Sequence, residues 1–174
     1  MKLLILLPIA SLFITGCKNS PTADNTPVLP TLLPPEPGSG GRNLADGEAF
    51  LRVNATKAGV KTTASGLQYE VLESGPANGR SPTRGNAVKV HYRGTLIDGT
   101  VFDSSIDRGV PATFGVGQVI AGWTEALQLM KPGDKWKLFV PSRLAYGERA
   151  MGDKIPANST LIFEVHLLEI GGGE

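Results

Sequence analysis

Cysteine is nearly absent from this 174-residue chain: there is one, Cys17. A single thiol excludes an intrachain disulfide and a cysteine-based metal site. Histidine is almost as scarce. His91 and His166 lie far apart in sequence, and neither has a partner at metal-ligand spacing. Excess charge is missing too, with 17 basic against 16 acidic residues and a formal charge of +1. That balance removes the electrostatic case for nucleic acid, which needs a basic patch. No apolar run approaches the roughly 20 residues that a helix needs to cross a bilayer. No internal repeat is visible, and no serine stands beside a positioned base. What the chain has in quantity is turn material, 22 glycines and 13 prolines, beside a hydrophobic content of 41%. Those numbers predict a β-rich domain with a real core and a loose tail.

The tail comes first. Met1 and Lys2 precede an apolar run over residues 3–14, interrupted by Pro8 and ending in Ile14-Thr15-Gly16-Cys17. The run suits a signal-peptide core, and its ending resembles the lipobox of bacterial lipoproteins. That resemblance implies cleavage of residues 1–16, a lipid on the Cys17 thiol and an acylated amine. An ordinary secretory signal with an incidental cysteine is the plainer alternative. Lys18 resembles the sorting pattern for the outer membrane, so the expected location is the cell envelope, lipid-anchored. Two or three acyl chains at about 0.8 kcal/mol per buried CH2 would make a stable anchor. Residues 17–43 carry six prolines and a Gly-Ser-Gly-Gly run, which reads as a disordered linker. Residues 44–65 form a lead-in, with Asp46 predicted to cap a short helix over residues 47–58. Its apolar stripe would be Ala49, Phe50 and Val53.

From Gly66 the pattern turns to strands, with the domain expected over residues 66–171. Leu67, Tyr69 and Val71 alternate with polar neighbours, as do Val88, Val90 and Tyr92. Asp98-Gly99 suits a type I′ turn, so the Val88 strand should double back and deliver Phe102 and Asp103. Further strands are expected at 112–114, 136–140 and 161–170. One amphipathic helix is expected near 122–130, where Trp123, Ala126, Leu127 and Met130 share a face. Lys131-Pro132-Gly133-Asp134 should end it in a type II turn. The fold class is α+β: a curved antiparallel sheet of five to six strands wrapped around one short helix.

Four stretches, VHYRGTLIDGTVFDSS, VIAGWTEALQLMKPGD, LAYGERAMGDKIP and STLIFEVHLLEI, resemble FKBP-type peptidyl-prolyl cis-trans isomerases. The branch most similar is that of the bacterial macrophage infectivity potentiators, to which GLQYEVL and PATF also point. The resemblance covers residues 66–170 in the family's order. It implies a pocket for proline-containing polypeptides with Trp123 as floor and Tyr92, Phe102, Phe114 and Phe163 as aromatic walls. Val119, Ile120 and Ile155 would complete the lining. Asp103 and Tyr146 would be the polar groups near the substrate backbone, with Arg108 holding both. The Ile120 amide would bond a substrate carbonyl. Phe102, Trp123, Asp103 and Tyr146 would carry catalysis. Ala112 stands where family members often have an aromatic, and Met151 sits at a loop tip that can carry histidine. Ala112 should widen the pocket and weaken the grip on peptides or macrolides. Macrolides are the implied inhibitors, and no cofactor or metal is expected.

Taken singly, these residues have plainer readings. Trp123 alone reads as an ordinary core tryptophan, and Asp103 with Arg108 as a turn-stabilising ion pair. His91 and His166 read as solvated. Only the combination specifies a pocket. An isomerase and a weakly active proline-binding or chaperone-like module remain the two functional readings. The short loop at 148–154 argues against a dedicated chaperone, and the short N-terminal helix argues for a monomer.

Overall fold

A computed structural model describes residues 40–171. The expected signal peptide, Cys17 and nearly all of the expected linker therefore lie outside the described residues. Among the described residues, no helix is long and apolar enough to cross a membrane.

Seven antiparallel strands form one sheet. They are β1 (Val60–Thr62), β2 (Gln68–Glu73), β3 (Ala87–Leu96), β4 (Val101–Ser104), β5 (Ala112–Gly115), β6 (Lys135–Val140) and β7 (Leu161–Gly171). The order is β1-β2-β6-β7-β3-β4, with β5 also pairing β3. Strand alternation decides which face is apolar. Val88, Val90 and Tyr92 of β3, Leu138 and Val140 of β6, and Leu161, Phe163, Val165 and Leu167 of β7 are all buried. Helix α2 (Ala121–Leu129) lies on that face. Its Trp123, Ala126 and Leu127 enter the core, together with Met130 just beyond its end. Gly122 is what lets the helix come so close, because a Cβ there would sit 2.6 Å from Val140 Cγ1. The turn after α2 is as expected: Asp134 N–H donates to Lys131 O at 2.9 Å, and Gly133 has φ +91°.

Two features matter for the site. One edge of β3 is shared by two strands, with Val90 paired to Ala112 of β5 and Arg93 to Ser104 of β4. The sheet therefore forks at His91 and Tyr92, where the chain leaves β4 on its way to β5. The Ser105 hydroxyl stitches the fork, accepting the Tyr92 N–H at 2.8 Å. The second feature is a bulge in β4. Thr95 pairs with Val101 and Gly94 with Asp103, leaving Phe102 as the extra residue.

Three expectations need correcting. Helix α1 runs from Gly40 to Asn54, not over 47–58, and Asp46 lies inside it, exposed, rather than capping it. Its buried face is Gly47, Leu51 and Asn54, whereas Val53 is 64% exposed. Tertiary contact overrides local propensity here. Asn43 Nδ2 donates to Ala157 O at 3.0 Å, and Asn54 Nδ2 to Gln68 Oε1 at 3.0 Å. Gly47 packs against Thr160 with no room for a side chain. The hairpin after β3 has a three-residue loop instead of a type I′ turn. Gly99 N–H reaches Leu96 O, Leu96 N–H reaches Thr100 O, and only Gly99 of the loop has positive φ. Asp98 instead turns its carboxylate onto the Thr100 N–H at 2.8 Å. Strand β1 was not expected: three residues carry too little pattern to show.

Candidate active site

At the fork, one end of the sheet's apolar face opens into a cavity of about 720 Å³. Its floor is Trp123, which α2 carries in its first turn and which is 4% exposed. Three rings meet the indole nearly edge-on. Phe163 stands 5.2 Å away at 82°, Tyr92 5.4 Å at 85° and Phe114 5.7 Å at 88° between ring centroids. Phe102 in turn meets Phe163 at 5.5 Å and 85°. Edge-on contacts of this kind suit the aromatic quadrupole and hold each ring at a set angle. The result is an apolar box with little freedom to collapse.

The β4 bulge explains how neighbours Phe102 and Asp103 both reach this box, since strict alternation would send them to opposite faces. Gly94 makes room for Phe102. A Cβ at Gly94 would lie 2.5 Å from the Phe102 ring and 3.0 Å from Phe163. Val119 and Ile120 line the side where the chain enters α2. The Ile120 N–H donates to no acceptor among the described residues. The far wall is the loop over 145–156, which brings Tyr146 and Ile155 to the cavity. A short bridge closes that loop, Met151 N–H to Ile155 O at 2.8 Å and the reverse bond at 3.3 Å.

The polar side of the box is a three-residue cluster. The Tyr92 hydroxyl donates to Asp103 Oδ2, and the Arg108 guanidinium donates to Asp103 Oδ1. Arg108 also donates to the Tyr92 oxygen at 3.2 Å and lies over the Tyr92 ring. Tyr146 is not a partner of Arg108; Tyr92 takes the place expected for it. Burial acts to raise the Asp103 pKa, but the bonds from Tyr92 and Arg108 outweigh it and hold the carboxyl below its usual range. Burial and the neighbouring carboxylate push the Tyr92 hydroxyl upward. At neutral pH the cluster is therefore a carboxylate, a protonated phenol and a guanidinium.

The residues expected to face the site line this cavity, with two exceptions: Arg108, which stands behind Asp103, and Ala112, expected in a wall but held in the β5–β3 ladder opposite Val90. Four lining residues were not foreseen: Gln118, Gly152, Asp153 and Lys154. The last three flank the Met151 loop tip, and only the length of that loop could have hinted at them. The cluster has no nucleophile with a base to activate it. What the site can do is take a chain carbonyl on the Ile120 N–H while an apolar ring sits on the indole.

The family described as FKBP-type peptidyl-prolyl cis-trans isomerase matches residues 78–168. A second, the domain amino terminal to such isomerases, matches residues 38–71. The isomerase FkpA of Aeromonas hydrophila is 58% identical over 128 residues, covering 74% of this chain and 47% of that protein. The outer membrane protein MIP of Legionella longbeachae is 53% identical over 128 residues, covering 74% and 54%. The crystal structure of a peptidyl-prolyl cis-trans isomerase from Pseudomonas syringae pv. tomato superposes with a TM-score of 0.72 at 36% identity. That match covers 79% of this chain and all of the other. The chain spans about half the length of the curated relatives it matches.

Proposed function

The chain belongs to the FKBP-type peptidyl-prolyl cis-trans isomerase family, and on that premise we propose that it isomerises Xaa-Pro bonds of exported or envelope proteins. The observation that carries this reading is the rigid aromatic box over Trp123 with one carboxylate at its rim. Rotation about an Xaa-Pro bond takes tens to hundreds of seconds unaided, behind a barrier of about 20 kcal/mol. A ten-thousand-fold acceleration needs only about 5.5 kcal/mol. No covalent step is required. A planar amide owes part of its stability to charge separation, which water supports. Moving it against Trp123, Phe102 and Phe163 withdraws that support, so the twisted amide gains relative to the planar one.

In this reading the proline ring sits on Trp123, and the Ile120 N–H holds a substrate carbonyl. Asp103 and Tyr146 face the rotating amide. Arg108 is a positioning residue acting through Asp103. Macrolides that mimic such a peptide would fill the same box. The test is a cis–trans assay of the full chain on Xaa-Pro peptides. Acceleration of several orders of magnitude is expected. A rate equal to the uncatalysed one would overturn the enzyme reading and favour a proline-binding module.

We further propose that Cys17 is lipidated and that the domain works at the cell envelope, probed by the Cys17→Ser variant. The lipobox-like residues 14–17 support this, as does the name of the Legionella longbeachae relative. The variant should move from the membrane fraction to the soluble one; retention in the membrane would count against the anchor. A monomer is the proposed state, supported by α1 turning Gly47, Leu51 and Asn54 onto its own sheet.

A further inference from the structure

His91 and His166, the only histidines in the chain, are not independent. They are directly opposite partners in the antiparallel ladder between β3 and β7. Both point away from the core, since their neighbours Val90, Tyr92, Val165 and Leu167 are buried in it. Sequence spacing, which offers neither a ligand partner, cannot show pairing between distant strands. Nor are they fully solvated: each ring is half-buried.

We propose that His91 and His166 form a two-histidine site for a late first-row divalent cation such as zinc, on the sheet face opposite the aromatic box. Directly opposed residues in an antiparallel pair have Cβ atoms about 4.5–5.5 Å apart. That spacing suits two imidazoles converging on one ion with metal–nitrogen bonds of about 2.0–2.1 Å. Imidazole is the nitrogen ligand that such cations favour.

The surroundings fit a ligand role. His91 Nδ1 lies 3.2 Å from the Ser105 hydroxyl, a buried group whose own hydrogen can go to the Tyr92 carbonyl at 3.3 Å. With the proton on Nδ1 and shared with Ser105, Nε2 keeps its lone pair. A hydrogen bond from the other ring nitrogen that sets the tautomer is what metal-binding histidines usually have. The flanking cations do not oppose a metal ion strongly. Lys89, Lys135 and Lys137 are each paired with a carboxylate, Glu169, Glu73 and Glu164 respectively. Arg93 stands opposite Glu164 in the ladder. Among the described residues no group of three or more His, Cys, Asp or Glu side chains is placed to hold a metal ion. Two protein ligands plus solvent therefore make the expected shell, which implies reversible binding. A bound ion would bridge β3 and β7 and so raise the melting temperature.

The test uses the full chain carrying Cys17→Ser, so that no thiol competes. Zinc chloride is titrated at pH 7.5 while the imidazole nitrogens are followed by NMR. With only two histidines, every imidazole signal belongs to this pair. Both rings should shift together and saturate at one equivalent. His166→Gln and His91→Gln should each weaken zinc binding at least tenfold while leaving isomerase activity, if present, unchanged. A response from one ring alone, no response at millimolar zinc, or unchanged affinity in either variant would overturn the site. The ring shifts require no substitution at either histidine, so a folding defect in the glutamine variants cannot mask the answer.

Discussion

Asp103→Ala is expected to lower kcat/KM on an Xaa-Pro peptide by about 10- to 100-fold, or roughly 1.4–2.7 kcal/mol of transition-state stabilisation, with the fold retained. Asp103 accepts from both Tyr92 and Arg108, so its loss strips the acceptor from a phenol and a guanidinium together. The side chain is 41% exposed, and water can replace part of what the fold loses. In the proposed mechanism catalysis has no such substitute, because the carboxylate is the charged group that the Tyr92–Arg108 cluster orients at the rim of the box. Asp103→Asn keeps the shape without the charge and should fall between wild type and Asp103→Ala. Full activity in Asp103→Ala would remove the carboxylate from the mechanism.

The same residue has a pH signature with a definite sign. Its folded pKa lies below the ordinary value of about 3.9. The charged form therefore stabilises the fold above about pH 4, and that contribution fades as pH drops through the lower folded value. Wild type should exceed Asp103→Asn in melting temperature by a constant margin from about pH 5 to 8, and the margin should shrink in more acidic buffer. A margin that grew on acidification would contradict the assigned direction.

The larger effect on stability is expected from Trp123→Ala, at about 3–5 kcal/mol. Domains are stable by about 5–15 kcal/mol, so the loss is a large fraction of the total. Three rings rest on the indole edge-on, and none can follow an alanine inward, because Tyr92 and Phe163 are fixed by the β3–β7 ladder. Urea denaturation should show a lower midpoint with little change in slope. Trp123→Phe, which keeps a ring, should lose much less stability and only part of the activity. If Trp123→Ala cost under about 1 kcal/mol, the indole would not be supporting the box.

Much of this was legible in the chain itself. Alternation along 88–92 and 161–167 named the buried side of two central strands. The helical spacing of Trp123, Ala126, Leu127 and Met130 placed an indole on the core side of α2. Such patterns are local, repeated and enforced by burial, so they survive the absence of coordinates. The motifs that resemble the isomerase family pointed to the cavity residues before any distance was known. Helix α1 shows the limit. Its start at two glycines follows from docking of Asn43 and Gly47 on the segment before β7 and of Asn54 on β2, not from propensity.

By itself, then, the sequence determined an α+β domain, the inward faces of its strands and helix, and the aromatic character of one pocket. Only the tertiary structure decided that a bulge turns Phe102 to the same side as Asp103, that Arg108 joins Asp103 to Tyr92, and that His91 faces His166. Each depends on the register between strands distant in the chain or on a break in it. Register is selected by the collective fit of the whole buried face, and no single segment carries that information.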